Sequence, residues 1–180
     1  MRKIAAVLLI SLLSAACATT KSVAPREYLD EQTAATITVV ADPWIFTRKN
    51  TSPQLDFFNL YAIDVNRMGD HKKYFVVVHY WPSAELGAAP TLMLNSGSQE
   101  LKLTPAKEDA RKLGIVQPLD KSAPSSAKSW FYLVDKASLT ALAQTRQLNA
   151  SLLTDTTNAE YVVWRNGSSE LSEFAVAFDR

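Results

Sequence analysis

This chain is short of the residues that most often carry chemistry. It has one cysteine, Cys17, in 180 residues. A single cysteine excludes any intramolecular disulfide. Histidine occurs twice, at His71 and His79, and no H-x-x-x-H spacing exists, so a zinc site has no support. Glycine is scarce at five residues, and no G-x-S-x-G occurs, so a nucleophile elbow has no support either. Charge of one sign is also lacking, with 19 basic against 18 acidic side chains. No strong field exists to attract DNA, RNA or anionic lipid. No repeat of fixed period is visible.

One long apolar run is present, and it lies at the start. Arg2 and Lys3 precede Ile4 to Leu13, which only Ser11 interrupts. Ser14, Ala15, Ala16 and Cys17 follow. A basic start, an apolar centre and small residues before a cut make a secretory signal peptide. The run is roughly half the ~20 residues that a transmembrane helix needs. The ending Leu13-Ser14-Ala15-Ala16-Cys17 resembles a bacterial lipobox, with Ser14 where Leu is commoner. That resemblance implies cleavage before Cys17, lipid on its sulfur and acylation of the new amino terminus. Ala18 is not Asp, which by resemblance to Gram-negative sorting implies transfer to the outer membrane. Two or three acyl chains hold a domain there essentially permanently. The alternative is an ordinary signal peptide cut at Ala16-Cys17-Ala18.

The expected organisation is a signal peptide over 1–16, a lipidated Cys17 with a tether over 17–25, and one β-rich periplasmic domain over 26–180. Cleavage removes Arg2 and Lys3 and leaves 17 basic against 18 acidic side chains, a net of −1. With Cys17 lipidated, the domain has no thiol for a metal site or a nucleophile. The N-x-S/T triplets at Asn50, Asn149 and Asn166 are read as chance.

The domain's pattern is that of many short strands. Arg26 to Gln32 suits one helical turn or an extended run. Thr36 to Thr47 is β-branched and aromatic, broken at Asp42-Pro43, which places the proline at a bulge or an edge. Asp56 to Arg67 and Tyr74 to Trp81 are the best strands. Both are apolar on both faces, which belongs in the middle of a sheet. The polar link Met68 to Lys73 makes them an antiparallel hairpin. Thr91 to Asn95 and Glu100 to Leu103 form a second hairpin. Trp130 to Val134, Leu148 to Leu153 and Tyr161 to Arg165 are further strands. Lys107 to Lys112 suits a short helix, and Lys136 to Gln144 a helix capped by Ser138 or Asp135. Ser169 to Phe178 leans to helix. The fold class expected is mainly β, an antiparallel sandwich-like domain with one or two short helices.

No stretch completes a catalytic set. Asp64 to Asp70 begins like a calcium loop but fails at Met68 and at Phe75, where the bidentate Glu belongs. A polar hairpin turn explains it as well. Ser125-Ser126-Ala127-Lys128 matches S-x-x-K but follows Pro124 in a loop and lacks its S-D-N and K-T-G partners. His71 reads as a solvated turn residue and His79 as a hydrogen-bonded core histidine. A triad of a histidine with Asp64 and a distant serine is the catalytic alternative. Trp44, Phe46, Phe57, Phe58, Tyr61, Tyr80, Trp81, Trp130 and Trp164 read as core and sheet face, with an apolar groove as the minority reading.

The segments REYLDEQTA and YAIDVNRMGDH resemble stretches of small uncharacterised lipoproteins of Gram-negative bacteria. The resemblance covers about a third of the chain and implies no activity. The functional expectation is a non-enzymatic binding or assembly module with no cofactor. Its partners would be the membrane, through lipid on Cys17, and other envelope proteins, with no nucleic acid. The alternatives are a carrier of lipid or another apolar ligand, and a hydrolase using a histidine.

Overall fold

The computed structural model describes residues 24–50, 56–80, 86, 89–97, 99–145 and 147–177. Residues 1–23, which hold the expected signal peptide, Cys17 and most of the expected tether, lie outside them, as do Trp81 and Phe178. The fold is built on β4 (Phe57–Arg67) and β5 (Asp70–His79), paired antiparallel along their length. Only Met68 and Gly69 separate them, so the polar link Asp70 to Lys73 is strand rather than loop. Met68 has φ 54° and Gly69 φ 90°. Two positive values are what a tight type I′ turn requires. That turn carries the ladder out to Arg67 opposite Asp70.

The other strands gather on this hairpin. Chain 35–48 runs beside β4 in two pieces, β2 (Ala35–Val39) and β3 (Trp44–Arg48). β2 pairs with the far half of β4 and β3 with the near half, and Asp42-Pro43 falls in the gap. The prolyl nitrogen has no hydrogen to give a ladder, so the strand breaks there. β1 (Arg26–Asp30) pairs with β2 and settles Arg26 to Asp30 as extended. β3 leads on to β10 (Asn158–Arg165), β9 (Asn149–Leu153), β6 (Thr91–Asn95) and β7 (Glu100–Leu103). β8 (Lys128–Leu133) pairs with the free side of β5. Among the described residues all nine pairings are antiparallel, and they join ten strands in one open sheet.

The sheet curls on itself, which gives the sandwich-like character. β5 and β10 lie three strand spacings apart, about 14 Å in a flat sheet. Yet the Tyr161 hydroxyl lies 3.0 Å from His79 Nε2. The Tyr132 hydroxyl of β8 reaches the Pro90 carbonyl beside β6 at 2.8 Å. Phe46, Phe58, Leu60, Phe75, Val77, Leu92, Leu152 and Tyr161 are buried on the concave side. Ile37, Ile63, Val65, Val76 and Val78 on the opposite faces are buried too. The central hairpin is therefore covered on both sides, as its two-faced apolar pattern requires.

Three short helices accompany the sheet among the described residues. α1 (Ala110–Leu113) has Asp109 as N-cap and Gly114 at φ 91° as its end. α2 (Lys136–Ala143) is capped by Asp135, whose carboxylate accepts from the Ser138 N–H at 2.7 Å. α3 (Ser168–Ala177) buries Leu171 and Phe174, and its Ser172 hydroxyl donates to the Ala143 carbonyl of α2.

Candidate functional site

The sequence leaves two histidines to place, and β5 carries both. They sit at opposite ends of one strand, on one face, because their positions differ by an even number. Each meets a carboxylate of its own. At the turn end, His71 Nδ1 lies 2.7 Å from Asp64 Oδ2, and Lys73 Nζ lies 3.5 Å from Asp64 Oδ1. Asp64 is buried while His71 is half exposed, so His71 is strand-borne and paired rather than a solvated turn residue. No hydroxyl hydrogen-bonds to the His71 ring among the described residues, which leaves its dyad without a nucleophile.

At the other end His79 has no exposed surface. Its Nε2 lies 2.9 Å from Asp56 Oδ1 and 3.0 Å from the Tyr161 hydroxyl. Tyr161 donates to the same Asp56 oxygen at 3.0 Å, and Arg48 holds Oδ2 at 3.0 Å. Burial alone would raise the Asp56 pKa. His79, Arg48 and Tyr161 outweigh it and hold the carboxyl below its ordinary range. The Tyr161 phenol is pushed up, by burial first and by the Asp56 charge second. This cluster has the carboxylate and hydroxyl that a catalytic histidine needs. The His79 ring itself has no exposed surface, whereas a general base must reach the proton it takes. His79 is the hydrogen-bonded core histidine that its apolar neighbours predict.

A third polar cluster lies under the sheet's other face. Tyr61 and Tyr80 both donate to Asp120 Oδ2, and Asn59 Nδ2 donates to the Tyr80 oxygen at 2.8 Å. Asp120 Oδ1 accepts the Ser122 N–H at 2.8 Å and its hydroxyl at 2.6 Å. Phe57 stacks on the Tyr80 ring with centroids 4.5 Å apart. Burial pushes the Tyr61 phenol up to about 12. The Tyr80 phenol rises for the same reason, with Asp120 adding to it. Asp120 itself is lowered, since its hydrogen bonds outweigh its burial. Two phenols that stay protonated grip one carboxylate, and this ties chain 119–127 onto the hairpin.

The other candidates do not assemble. Asp64 and Asn66 share one face of β4, while Asp70 lies on the opposite face of the ladder, so the calcium-like loop is split by the tight turn. Asn66 instead accepts the Gly69 N–H at 2.9 Å. Ser125 and Ser126 occupy an exposed turn and Lys128 begins β8, so S-x-x-K sits on no helix. Trp44, Phe46, Phe58, Tyr61, Tyr80 and Trp130 are core, whereas Trp164 is 57% exposed.

What the sequence did not locate is a surface groove of about 670 Å³ between the tip of the β4–β5 hairpin and α1. Val65, Tyr74, Leu113 and Leu133 give it apolar walls, and Met68 stands at its mouth. Arg67, Lys72 and Lys112 line it with Asp70 and Glu108. Burial raises the Tyr74 phenol, and Glu108 and Asp70 raise it further. Its one sequence signal is Met68, an apolar residue where hairpin turns favour Asn or Asp. No known family matches this chain, and no similar curated protein or solved structure is found.

Proposed function

We propose that this chain is a lipid-anchored protein of the bacterial outer membrane, facing the periplasm, whose β-rich domain is a non-enzymatic binding or assembly module. The observation that carries this reading is the Leu13-Ser14-Ala15-Ala16-Cys17 ending behind a basic and apolar leader. No helix among the described residues is long and apolar enough to cross a membrane. The non-enzymatic part is supported by the burial of His79, the one histidine with both a carboxylate and a hydroxyl in reach. Partners are the membrane, through lipid on Cys17, and other envelope proteins, which crosslinking in cells would capture. The test is Cys17→Ser. The variant should remain an uncut precursor or leave the membrane fraction. Unchanged mobility and unchanged membrane fractionation would overturn the reading.

A second reading, a carrier of lipid or another apolar ligand, is favoured by the groove beside α1. Its volume lies within the range of small-molecule sites, roughly 300–1,000 Å³. It is an open surface groove, so a ligand there would exchange with its surroundings without a lid.

A further inference from the structure

We propose that the groove between the β4–β5 hairpin and α1 binds a single-chain amphiphile with one anionic head, of the fatty-acid type. The inference rests on the carrier reading and deepens it by naming the ligand's chemistry. Apolar walls come from strand and helix together, Val65 and Tyr74 on one side and Leu113 on the other. Leu133 extends them at the groove's edge with 59% of its surface exposed. A hydrocarbon chain laid along these side chains would remove its own apolar surface and theirs from water.

The charges fix the sign of the head. The Arg67 guanidinium is anchored beside α1, where it donates to the Lys112 main-chain carbonyl at 3.4 Å, and Lys112 lines the same groove. Neither cation makes an ion pair among the described residues. Lys72 pairs with Asp70 at 3.7 Å, which leaves Glu108 as the one unpaired carboxylate among the described lining residues. Two unpaired cations against one unpaired anion complement a single negative head. The complementarity is local, for the chain as a whole has almost no net charge.

The hairpin tip supports a bound apolar partner. Met68 is fully exposed and holds φ 54°, a left-handed region that L side chains rarely adopt. Asn would fit this turn at lower cost. The Met68 backbone makes the turn, but its side chain, on the lip of an apolar groove, adds no packing to the fold. A flexible thioether is suited to covering an acyl chain.

The full-length chain in neutral maltoside micelles, exposed to a fatty acid with a diazirine near its tail, tests this. Crosslinks should concentrate on the groove, around Met68, Leu113 and Leu133. Laurate should displace the probe about fivefold better than dodecyltrimethylammonium, a contrast of the size that one exposed ion pair gives. Lys112→Glu should cut the labelling by a similar factor, and Lys112→Gln by less. Lys102→Glu, on the exposed side of β7, should leave it unchanged. Equal displacement by the two amphiphiles, or groove labelling indifferent to Lys112→Glu, would overturn the anionic assignment and leave a carrier of apolar chains. Labelling scattered over the surface would overturn the inference and the carrier reading together. The lipid anchor stands or falls separately, on Cys17→Ser.

Discussion

Asp30 is a buried carboxylate at the end of β1, held by backbone rather than by a cation. Its Oδ1 accepts from the N–H groups of Gln32 and Thr33 at 3.1 and 3.2 Å. Its Oδ2 accepts from Val116 and Gln117 at 2.7 and 3.3 Å, which pins the chain after α1 to the β1–β2 turn. Burial would raise its pKa, and these donors more than reverse that. The folded protein therefore binds the Asp30 proton more weakly than the unfolded chain does. Its share of stability is complete above the ordinary carboxylate value near 3.8 and is lost as pH falls through the lower folded value. Asp30→Asn should cost about 2–4 kcal/mol in urea denaturation at neutral pH, because an amide turns donors toward donors. The variant should also lose less further stability on acidification below pH ~4 than the parent does. Little of this is readable in the sequence, where Asp30 is one acid among Glu27 and Glu31. The histidines tell the same story. That His79 is core follows from its apolar neighbours. That Tyr161, 82 residues away, bonds to it follows only from the curl of the sheet.

Elements were more legible than their contacts, because hydrophobic period and turn chemistry are local. The β4–β5 pair, the β6–β7 hairpin, β8, β9, β10 and the capped α2 all lie where pattern and caps place them. The charged stretch Asp70 to Lys73 misled, since a strand that outruns the core carries charges without breaking its ladder. The break at Asp42-Pro43 was visible, but its use was not. Gly167, between β10 and α3, packs into that gap. A Cβ there would lie 2.8 Å from the Asp42 carbonyl oxygen and 2.8 Å from the Trp44 nitrogen. Around it, Arg165 pairs with Asp42, and the Trp44 indole donates to Asn166 at 2.6 Å. Asn166 also accepts the Ser168 N–H at 2.8 Å and so starts α3. Asn166-Gly167 reads locally as a turn. In the fold it docks the last helix against the interrupted strand. Gly167→Ala must push two backbones apart and should cost about 1–3 kcal/mol in thermal or urea unfolding. A variant as stable as the parent would mean that the junction is loose.

At the scale of the molecule the sheet has one spine. β4 takes β2 and β3 on one side and β5 on the other, and β5 alone carries β8. Among the described residues, buried side chains from β2 through α3 form a single cluster around this spine. Val77 sits at its middle, opposite Leu60 of β4 and Trp130 of β8, with no exposed surface. Its face points into the concave side, where Phe75 and His79 flank it along the strand and are equally buried. Val77→Asp would place a carboxylate there without a partner, at a cost of at least several kcal/mol. A single domain has only about 5–15 kcal/mol in all. The variant should therefore fail to accumulate, or melt far below the parent in one transition that takes both halves of the sheet. Lys72→Ala, three strand positions from the turn with most of its side chain in water, should shift stability by less than ~0.5 kcal/mol. The contrast between two substitutions five residues apart separates a spine from an edge. Near-normal stability of Val77→Asp, read by thermal melting and by level in the cell, would mean that the concave face admits water. His79, on that same face, would then be accessible, and the case against a catalytic histidine would lose its footing.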